Sequence, residues 1–224
     1  MTWHDLLFMH WPVEIEQLRP LVPARLQIDT FDGQAWIGVV PFRMTRVKPY
    51  QFPSMPRCSA FPELNVRTYV THGGKPGVWF FSLDAANPFA VMVARRFYHL
   101  PYYHARMSLQ DNGETIAYRS TRTHKNAAPA EFDAEYSPAG ASYLAKPETL
   151  EFWLTERYCL YSKDRHGRIW RAEIHHDRWP LQPATATTKV NSMTEGLKVS
   201  LPPISPLLHF ARKLDVVAWK PQLA

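Results

Sequence analysis

Short apolar runs separated by turn dipeptides constrain the fold of this 224-residue chain more than any other feature. The runs cover residues 63–70 with 78–83, 106–110 with 115–122, and 156–161 with 168–174. Each pair predicts a β-hairpin, closed by Gly73-Gly74, Asn112-Gly113 and His166-Gly167 in turn. Further strands are predicted at residues 36–42 and 215–219. This pattern is typical of an antiparallel sheet or barrel and unlike a doubly wound parallel sheet.

Only short helices are predicted between the strands. Residues 13–21 place apolar side chains at helical spacing behind Pro12, which suits an early helical position. Asn87 followed by Pro88 predicts the start of a helix that continues to residue 97. Shorter helices are expected at residues 146–153 and 207–214.

The composition is that of a folded chain with a sizeable core. Hydrophobic residues make up 46% of the sequence and aromatic residues 13%, which argues against disorder. Because no repeat or composition change marks a boundary, we predict a single domain over residues 1–224. The net charge of +6 is dispersed, without a block of Lys and Arg, so we expect no nucleic-acid partner.

The N-terminal segment and the cysteines indicate where such a chain would reside. Its first residues lack a basic region and include Asp5, unlike a secretory leader. No run of about 18 uncharged apolar residues occurs, so we expect no membrane partner. Cys58 and Cys159 lack the spacing of a disulfide framework or a thiolate zinc site. We therefore expect a soluble, cytoplasmic protein.

The run at residues 63–70 carries the most informative side chains. Glu63, Asn65 and Arg67 alternate with apolar residues, so on a strand they share one face, together with Tyr69. In an antiparallel sheet this face could simply contact water. Inside a barrel, the same acid, amide and guanidinium could orient a small polar or anionic ligand.

A second dense segment, residues 95–104, combines cations, aromatic rings and histidines at a corner between a helix and a strand. It could be a packing corner in which the arginines bond to carbonyl groups at the helix C-terminus. Alternatively, Arg96, Tyr102 and Tyr103 could line the mouth of a pocket.

Motifs for metals and common cofactors do not occur. His175 and His176 are adjacent and would point to opposite faces of a strand, and no HExxH or zinc-type spacing occurs, so we expect no metal. There is no GxGxxG, which leaves Rossmann-type cofactors without support, and we expect no cofactor. Residues 72–77 lack phosphate-loop spacing, and no GxSxG elbow is present.

Several segments, in the same order over most of the chain, resemble the YqjF-like family of uncharacterised conserved bacterial proteins. That family is similar in turn to the acetoacetate decarboxylase superfamily, whose fold is an antiparallel β-barrel or cone around a ligand cavity. The resemblance implies the same mainly β fold with a few short helices here. The matching segments are Leu18-Arg-Pro-Leu-Val-Pro23, Pro62-Glu-Leu-Asn-Val-Arg67, Val78-Trp-Phe-Phe-Ser-Leu-Asp84, Ala94-Arg-Arg-Phe-Tyr-His-Leu-Pro-Tyr-Tyr103, Leu154-Thr-Glu-Arg-Tyr158 and His175-His-Asp-Arg-Trp-Pro-Leu-Gln182.

The resemblance implies less about chemistry. Acetoacetate decarboxylases use a lysine that forms a Schiff base with the keto acid, in a motif of an arginine, a proline and two lysines. Here Arg96 and Pro101 are followed by Tyr102 and Tyr103, and tyrosine cannot form an imine. An arginine near the first helix of decarboxylases is likewise replaced, with Pro12 at that place. Glu63 corresponds to an acidic residue of the decarboxylase cavity.

The sequence therefore favours a barrel that binds a small polar or anionic molecule without Schiff-base chemistry. An enzyme of unknown reaction using Tyr, Glu and Arg acid–base chemistry is one alternative. A macromolecule-binding protein with a filled cavity is another. Exposed aromatic strands would favour a homo-oligomer. The candidate ligand-binding residues are Glu63, Asn65, Arg67, Arg96, Tyr102 and Tyr103.

Overall fold

The computed structural model describes residues 1–47 and 60–224, so Cys58 lies outside the described residues. The α-helices are α1 (Ile15–Leu18), α2 (Pro88–Phe97) and α3 (Leu150–Thr155), and 3-10 turns cover Arg19–Leu21 and Glu195–Leu197. The strands are β1 (Thr2–Val13), β2 (Gln27–Ile28), β3 (Ala35–Thr45), β4 (Phe61–His72), β5 (Lys75–Ala85), β6 (Tyr102–Asp111), β7 (Ile116–Arg122), β8 (Glu131–Pro138), β9 (Tyr143–Leu144), β10 (Cys159–Lys163), β11 (Ile169–His176), β12 (Pro180–Asn191), β13 (Leu207–Ala218) and β14 (Gln222–Leu223).

Hydrogen bonding closes the strands into two rings that share a wall. Ring A runs through β5, β6, β7, β8, β12, β13, β1, β3 and β4 and returns to β5. Ring B leaves β5 through β10 and β11, which pairs with β13, and returns through β1, β3 and β4. The strands β13, β1, β3, β4 and β5 belong to both rings and form the shared wall.

Ring A is filled by aromatic and aliphatic side chains. Tyr118 and Phe132 from β7 and β8 pack with Leu7 and Leu64, which project from the shared wall. All of them are fully buried. A second core lies on the other face of the wall, within ring B, where Phe8 and Phe42 meet Trp179.

The shared wall therefore has two buried faces. Along β4, Leu64 and Val66 belong to the core of ring A, while Phe61 belongs to the core of ring B. Because successive side chains of a strand point to opposite faces, Glu63, Asn65, Arg67 and Tyr69 project into ring B with Phe61.

The predicted mainly β fold is confirmed, with a mixed sheet that closes on itself. Each predicted hairpin is present, and Gly73 and Gly74 adopt positive φ angles of 58° and 75° between β4 and β5. Two of the pairings, β5 with β6 and β5 with β10, are parallel and were not expected in an antiparallel sheet. None of the helices in the described part of the chain is long and apolar enough to cross a membrane.

Three of the four predicted helices have counterparts: α1 and the 3-10 turn after it fall within residues 13–21, α2 ends at residue 97, and α3 overlaps residues 146–153. Asn87 accepts hydrogen bonds from the backbone N–H groups of Phe89 and Ala90, as its N-cap role requires. The helix predicted at residues 207–214 is wrong, because this segment is part of β13 and pairs with β1 along its length. Pro12 also lies in β1 and not in a helix, since α1 begins at Ile15.

Candidate functional site

The polar face of β4 lies in the interior of the protein and not in water. Glu63 and Asn65 are 3% and 4% exposed, and Tyr69 is fully buried. Arg67 is half-buried. Of the two interpretations of this strand, the structure therefore supports inward-facing polar groups.

Arg67 is held by aromatic rings and not by an acid. Its guanidinium carbon lies 5.3 Å from the centre of the Phe8 ring and 5.9 Å from that of Tyr69. No acidic side chain in residues 1–47 and 60–224 forms an ion pair with it. Its Nε atom is buried and has no hydrogen-bond partner. Cation–π contacts thus fix a positive charge whose counter-charge is missing.

His10 on β1 completes this part of the face. Its Nε2 and the hydroxyl of Tyr69 are hydrogen-bonded at 2.7 Å. Burial, followed by the positive charge of Arg67, holds the pKa of His10 well below its usual range. The ring fits because β3 has a glycine beside it: a Cβ on Gly38 would lie 2.9 Å from His10 Cδ2. His10 is therefore a neutral hydrogen-bonding group.

Unsatisfied polar atoms are concentrated on this inner face. Besides Arg67 Nε, the buried atoms without a partner include His10 Nδ1, Asn65 Oδ1 and Trp36 Nε1. His209 Nδ1 is another, and His209 lies directly opposite Phe8 in the β1–β13 pairing, on the same face. Since buried polar groups normally find partners, a cluster of exceptions is a feature of sites that receive a ligand or water.

The segment from α3 to β10 covers the Tyr69 end of the face. The Trp153 ring packs on that of Tyr69, with centroids 4.7 Å apart. Arg157 lies over both rings, at 4.3 Å from Trp153 and 5.0 Å from Tyr69. Its NH1 group donates to Asp29 Oδ2 at 2.6 Å. Arg157 is therefore a paired cation that stabilises this covering segment, whereas Arg67 has no acidic partner among the described residues.

Glu63 and Tyr102 form a buried pair at the other end of the face. The Tyr102 hydroxyl donates to Glu63 Oε2 at 2.7 Å. Burial raises the pKa of Glu63 to about 8, although the bond from Tyr102 acts in the opposite direction. At neutral pH most Glu63 side chains therefore carry a proton, and a protonated carboxyl can donate a hydrogen bond as well as accept one.

The structure does not bring the other two candidates to this face. Tyr103, next to Tyr102, points away from Glu63, and its ring contacts the Arg122 guanidinium at 4.3 Å. Arg122 is paired there with Asp84, whose oxygen lies 2.9 Å from Arg122 Nε. Arg96 is exposed on α2 and lies over the ring of its neighbour Phe97.

The histidines do not converge in the described part of the chain. No group of three or more His, Cys, Asp or Glu side chains there could hold a metal ion. His175 is exposed and His176 is buried, as expected for neighbours on a strand. The imidazoles of this face, His10 and His209, thus act as isolated polar groups.

Comparison with known sequences places the chain in a family. The model of the DUF2071 family, described as an uncharacterized conserved protein, matches residues 1–215. The chain belongs to the DUF2071 family. The uncharacterized protein YqjF of Bacillus subtilis is 49% identical to it over 218 residues, which cover 97% of this chain and 89% of YqjF. The family expected from the sequence is thereby confirmed.

Solved structures resemble this DUF2071 protein in fold. Acetoacetate decarboxylase from Legionella pneumophila aligns with a TM-score of 0.61 and 11% identity, over 100% of this chain and 87% of the decarboxylase. The enduracididine biosynthesis enzyme MppR, in complex with pyruvate, aligns with a TM-score of 0.66 and 10% identity, over 99% and 88% of the two chains. The expected acetoacetate decarboxylase-like fold is confirmed, while function does not follow from fold at such identities.

Sequence reasoning missed several groups of this site in the DUF2071 protein. His10, His209 and Arg157 come from β1, β13 and the segment after α3, far from β4 along the chain. No motif or spacing links them, and only the ring closure brings them together. The one available signal was indirect: these polar residues lie within apolar stretches, where a buried role is common.

Proposed function

We propose that this protein binds a small anionic molecule inside ring B, with Arg67 as the group that holds the anion. The observation that carries this proposal is the isolated charge of Arg67, whose Nε is buried without a partner. Burying a charge without a counter-charge is costly, and proteins normally pair such groups. A carboxylate ligand would supply both the charge and the hydrogen-bond acceptors.

The surroundings of Arg67 favour the binding of a ligand over a charge that is simply buried. Asn65 and His10, on either side of it, offer further hydrogen-bonding atoms without partners. Arg67 itself is half-buried, so part of the residue remains accessible. Pre-placed polar groups in an apolar surround are the usual composition of small-molecule sites.

We further propose that the site acts without Schiff-base chemistry. An imine-forming lysine must lose its proton, which burial or a nearby cation promotes. Every lysine of the described residues is exposed except the half-buried Lys75. The amine of Lys75 is already engaged in an ion pair with Glu173 at 2.6 Å. Lys48 lies outside the described residues.

Glu63 supports a second candidate, an enzyme that uses acid–base chemistry at the same site. A carboxyl group with a pKa of about 8 can give or take a proton near neutral pH. Tyr102 holds the carboxyl in place through its 2.7 Å hydrogen bond. The reaction would consist of a proton transfer to or from a ligand held at Arg67, four residues further along β4 on the same face.

Calorimetric titration tests the binding proposal. Acetate, pyruvate and benzoate would be titrated at pH 7 into the wild-type protein and the Arg67→Met and Arg96→Met variants. We expect saturable binding of at least one carboxylate, lost in Arg67→Met and kept in Arg96→Met, which removes an exposed arginine. No binding of any of these carboxylates, or equal loss in both variants, would contradict the proposal.

Borohydride trapping tests the absence of imine chemistry. The protein would be incubated with pyruvate, reduced and measured by intact mass, next to an acetoacetate decarboxylase with its own substrate as a positive control. We expect no added mass on this protein. An adduct on a mapped lysine would overturn that part of the proposal.

A further inference from the structure

We propose that the occupant of ring B is a monocarboxylate with a flat, apolar body, its carboxylate in the plane of the Arg67 guanidinium and its body against Trp36, Phe80 and Trp153. This inference rests on the proposed function and specifies its ligand class.

The geometry of Arg67 selects the carboxylate. The guanidinium carbon lies over the rings of Phe8 and Tyr69, at 5.3 Å and 5.9 Å from their centres. The N–H groups of a guanidinium lie in its plane. One of them, on Nε of Arg67, is buried and has no hydrogen-bond partner. Two parallel N–H donors in one plane match the two oxygens of a carboxylate. The contacts with these two rings also hold the guanidinium in place before a ligand arrives.

The charge balance of the face favours a single negative charge. Arg157 and Asp29 neutralise each other at 2.6 Å. His10 and His209 are neutral near pH 7, because burial lowers the pKa of each. Glu151 on α3 acts on His209, but it forms no ion pair with Arg67 among the described residues. A second negative charge on the ligand would be buried without a partner.

Aromatic side chains next to Arg67 favour a flat apolar body. Phe80 lies directly opposite Arg67 in the β4–β5 pairing. Phe80, Trp36 and Trp153 pack against a small apolar cluster that contains Tyr69, and Phe80 also contacts the core of ring B. All three stay half-buried although they lie inside ring B or under its cover. Aromatic side chains that keep part of their surface accessible can stack on planar groups.

Four compounds separate the contribution of the ligand's charge from that of its apolar body: benzoate, acetate, benzamide and terephthalate. In calorimetric titrations at pH 7 we expect benzoate to bind at least about tenfold more tightly than acetate, since burying a phenyl ring contributes more than 1.4 kcal/mol. Benzamide, which keeps the ring and lacks the charge, should bind at least tenfold more weakly than benzoate. Terephthalate, with its second charge, should also bind more weakly than benzoate.

Variants of the aromatic side chains next to Arg67, compared with a variant of an exposed tryptophan, provide the matched control. Trp153→Leu should weaken benzoate binding severalfold and leave acetate unchanged, while Trp219→Leu, at an exposed tryptophan, should change neither. Phe80→Leu serves the same purpose if Trp153→Leu does not fold.

The outcomes distinguish this inference from the proposed function. If acetate binds as tightly as benzoate and both are lost in Arg67→Met, the anion site stands and the flat apolar body is wrong. If benzamide binds as tightly as benzoate, the charge of Arg67 is not used and the proposed function fails. If no carboxylate binds the wild-type protein, both fail.

Discussion

Two inward-facing arginines, Arg122 in ring A and Arg67 in ring B, differ in what they face. In ring A, Arg122 donates from Nε to both oxygens of Asp84, at 2.9 Å and 3.2 Å. In ring B, Arg67 has aromatic neighbours and no acid among the described residues. A paired guanidinium stabilises its own surroundings, whereas an unpaired one is available to an incoming anion. The difference separates a structural arginine from a candidate ligand-binding one.

The tyrosines of ring A extend the contrast. The hydroxyl of Tyr118 donates to the backbone oxygen of Glu63 at 2.7 Å, and that of Tyr136 donates to the oxygen of Asp5 at 2.8 Å. The hydroxyls of these two buried tyrosines of ring A thus have partners, although Ser120 Oγ and the NH2 group of Arg122 in the same ring form no hydrogen bond. On the inner face of ring B, imidazole, amide and guanidinium atoms lack partners. The shared wall of strands thus packs the core of ring A on one face and carries the candidate site of ring B on the other.

Arg122→Met should produce the largest loss of stability. It leaves the fully buried Asp84 without its partner, and breaking a buried pair in this way costs about 3–5 kcal/mol. Urea unfolding followed by tryptophan fluorescence at pH 8 measures the loss. Because burial raises the pKa of Asp84 to about 6, the loss should shrink at pH 5, where Asp84 takes up a proton. A pH-independent loss would contradict the pairing.

Glu63 should make the free energy of unfolding of the protein decrease as the pH rises. The folded state holds a proton on Glu63 up to pH about 8, whereas the unfolded chain releases it near pH 4.5. Between those values unfolding releases a proton, so the free energy of unfolding decreases by up to about 1.4 kcal/mol per pH unit. Glu63→Gln should remove this slope in urea titrations from pH 5 to pH 8. The exposed Glu114→Gln should preserve it, and an unchanged slope in Glu63→Gln would show that Glu63 does not cause it.

Gly38→Ala should have an intermediate effect. The added Cβ would lie 2.9 Å from His10 Cδ2, and overpacking of this kind costs about 1–3 kcal/mol. The double variant Gly38→Ala with His10→Ala should recover part of that loss, because the clash disappears. A double-mutant cycle by urea unfolding measures the coupling. Purely additive losses would mean that the two residues do not meet.

Arg67→Met should have the smallest effect on stability. Removing an unpaired charge and keeping an apolar stem should change the free energy of unfolding by less than about 1 kcal/mol, or raise it slightly. The same urea experiment as for Arg122→Met gives the direct comparison. A loss as large as that of Arg122→Met would show that Arg67 has a structural role.

Local sequence was sufficient for much of the fold. The glycines at 73–74 and 113 and the cap at Asn87 act within a few residues, and the elements they define are present. The alternation along β4 also predicted which side chains share a face. It could not predict whether that face contacts water or the interior, because both arrangements give the same pattern.

The rest of the site depends on contacts between distant parts of the chain. The apolar positions at residues 207–214 fit a helix as well as a strand buried on both faces, and pairing with β1 decides the outcome. Likewise, local sequence does not distinguish the exposed Arg96 from the buried Arg157, which the cover over Tyr69 encloses. Of the six predicted candidates, Glu63, Asn65, Arg67 and Tyr102 lie on one face, whereas Arg96 and Tyr103 do not.

The pairing of β1 with β13 has a consequence for biosynthesis. Thr2 lies opposite Asp215, and both rings pass through this pairing. Neither ring can close on the ribosome until β13 has left the exit tunnel. Until then, the hairpins formed earlier in synthesis expose one apolar face. Partly folded chains with such exposed surface are prone to aggregate. We expect a nascent chain stalled before β13 to be sensitive to protease, and to become resistant once that strand is free.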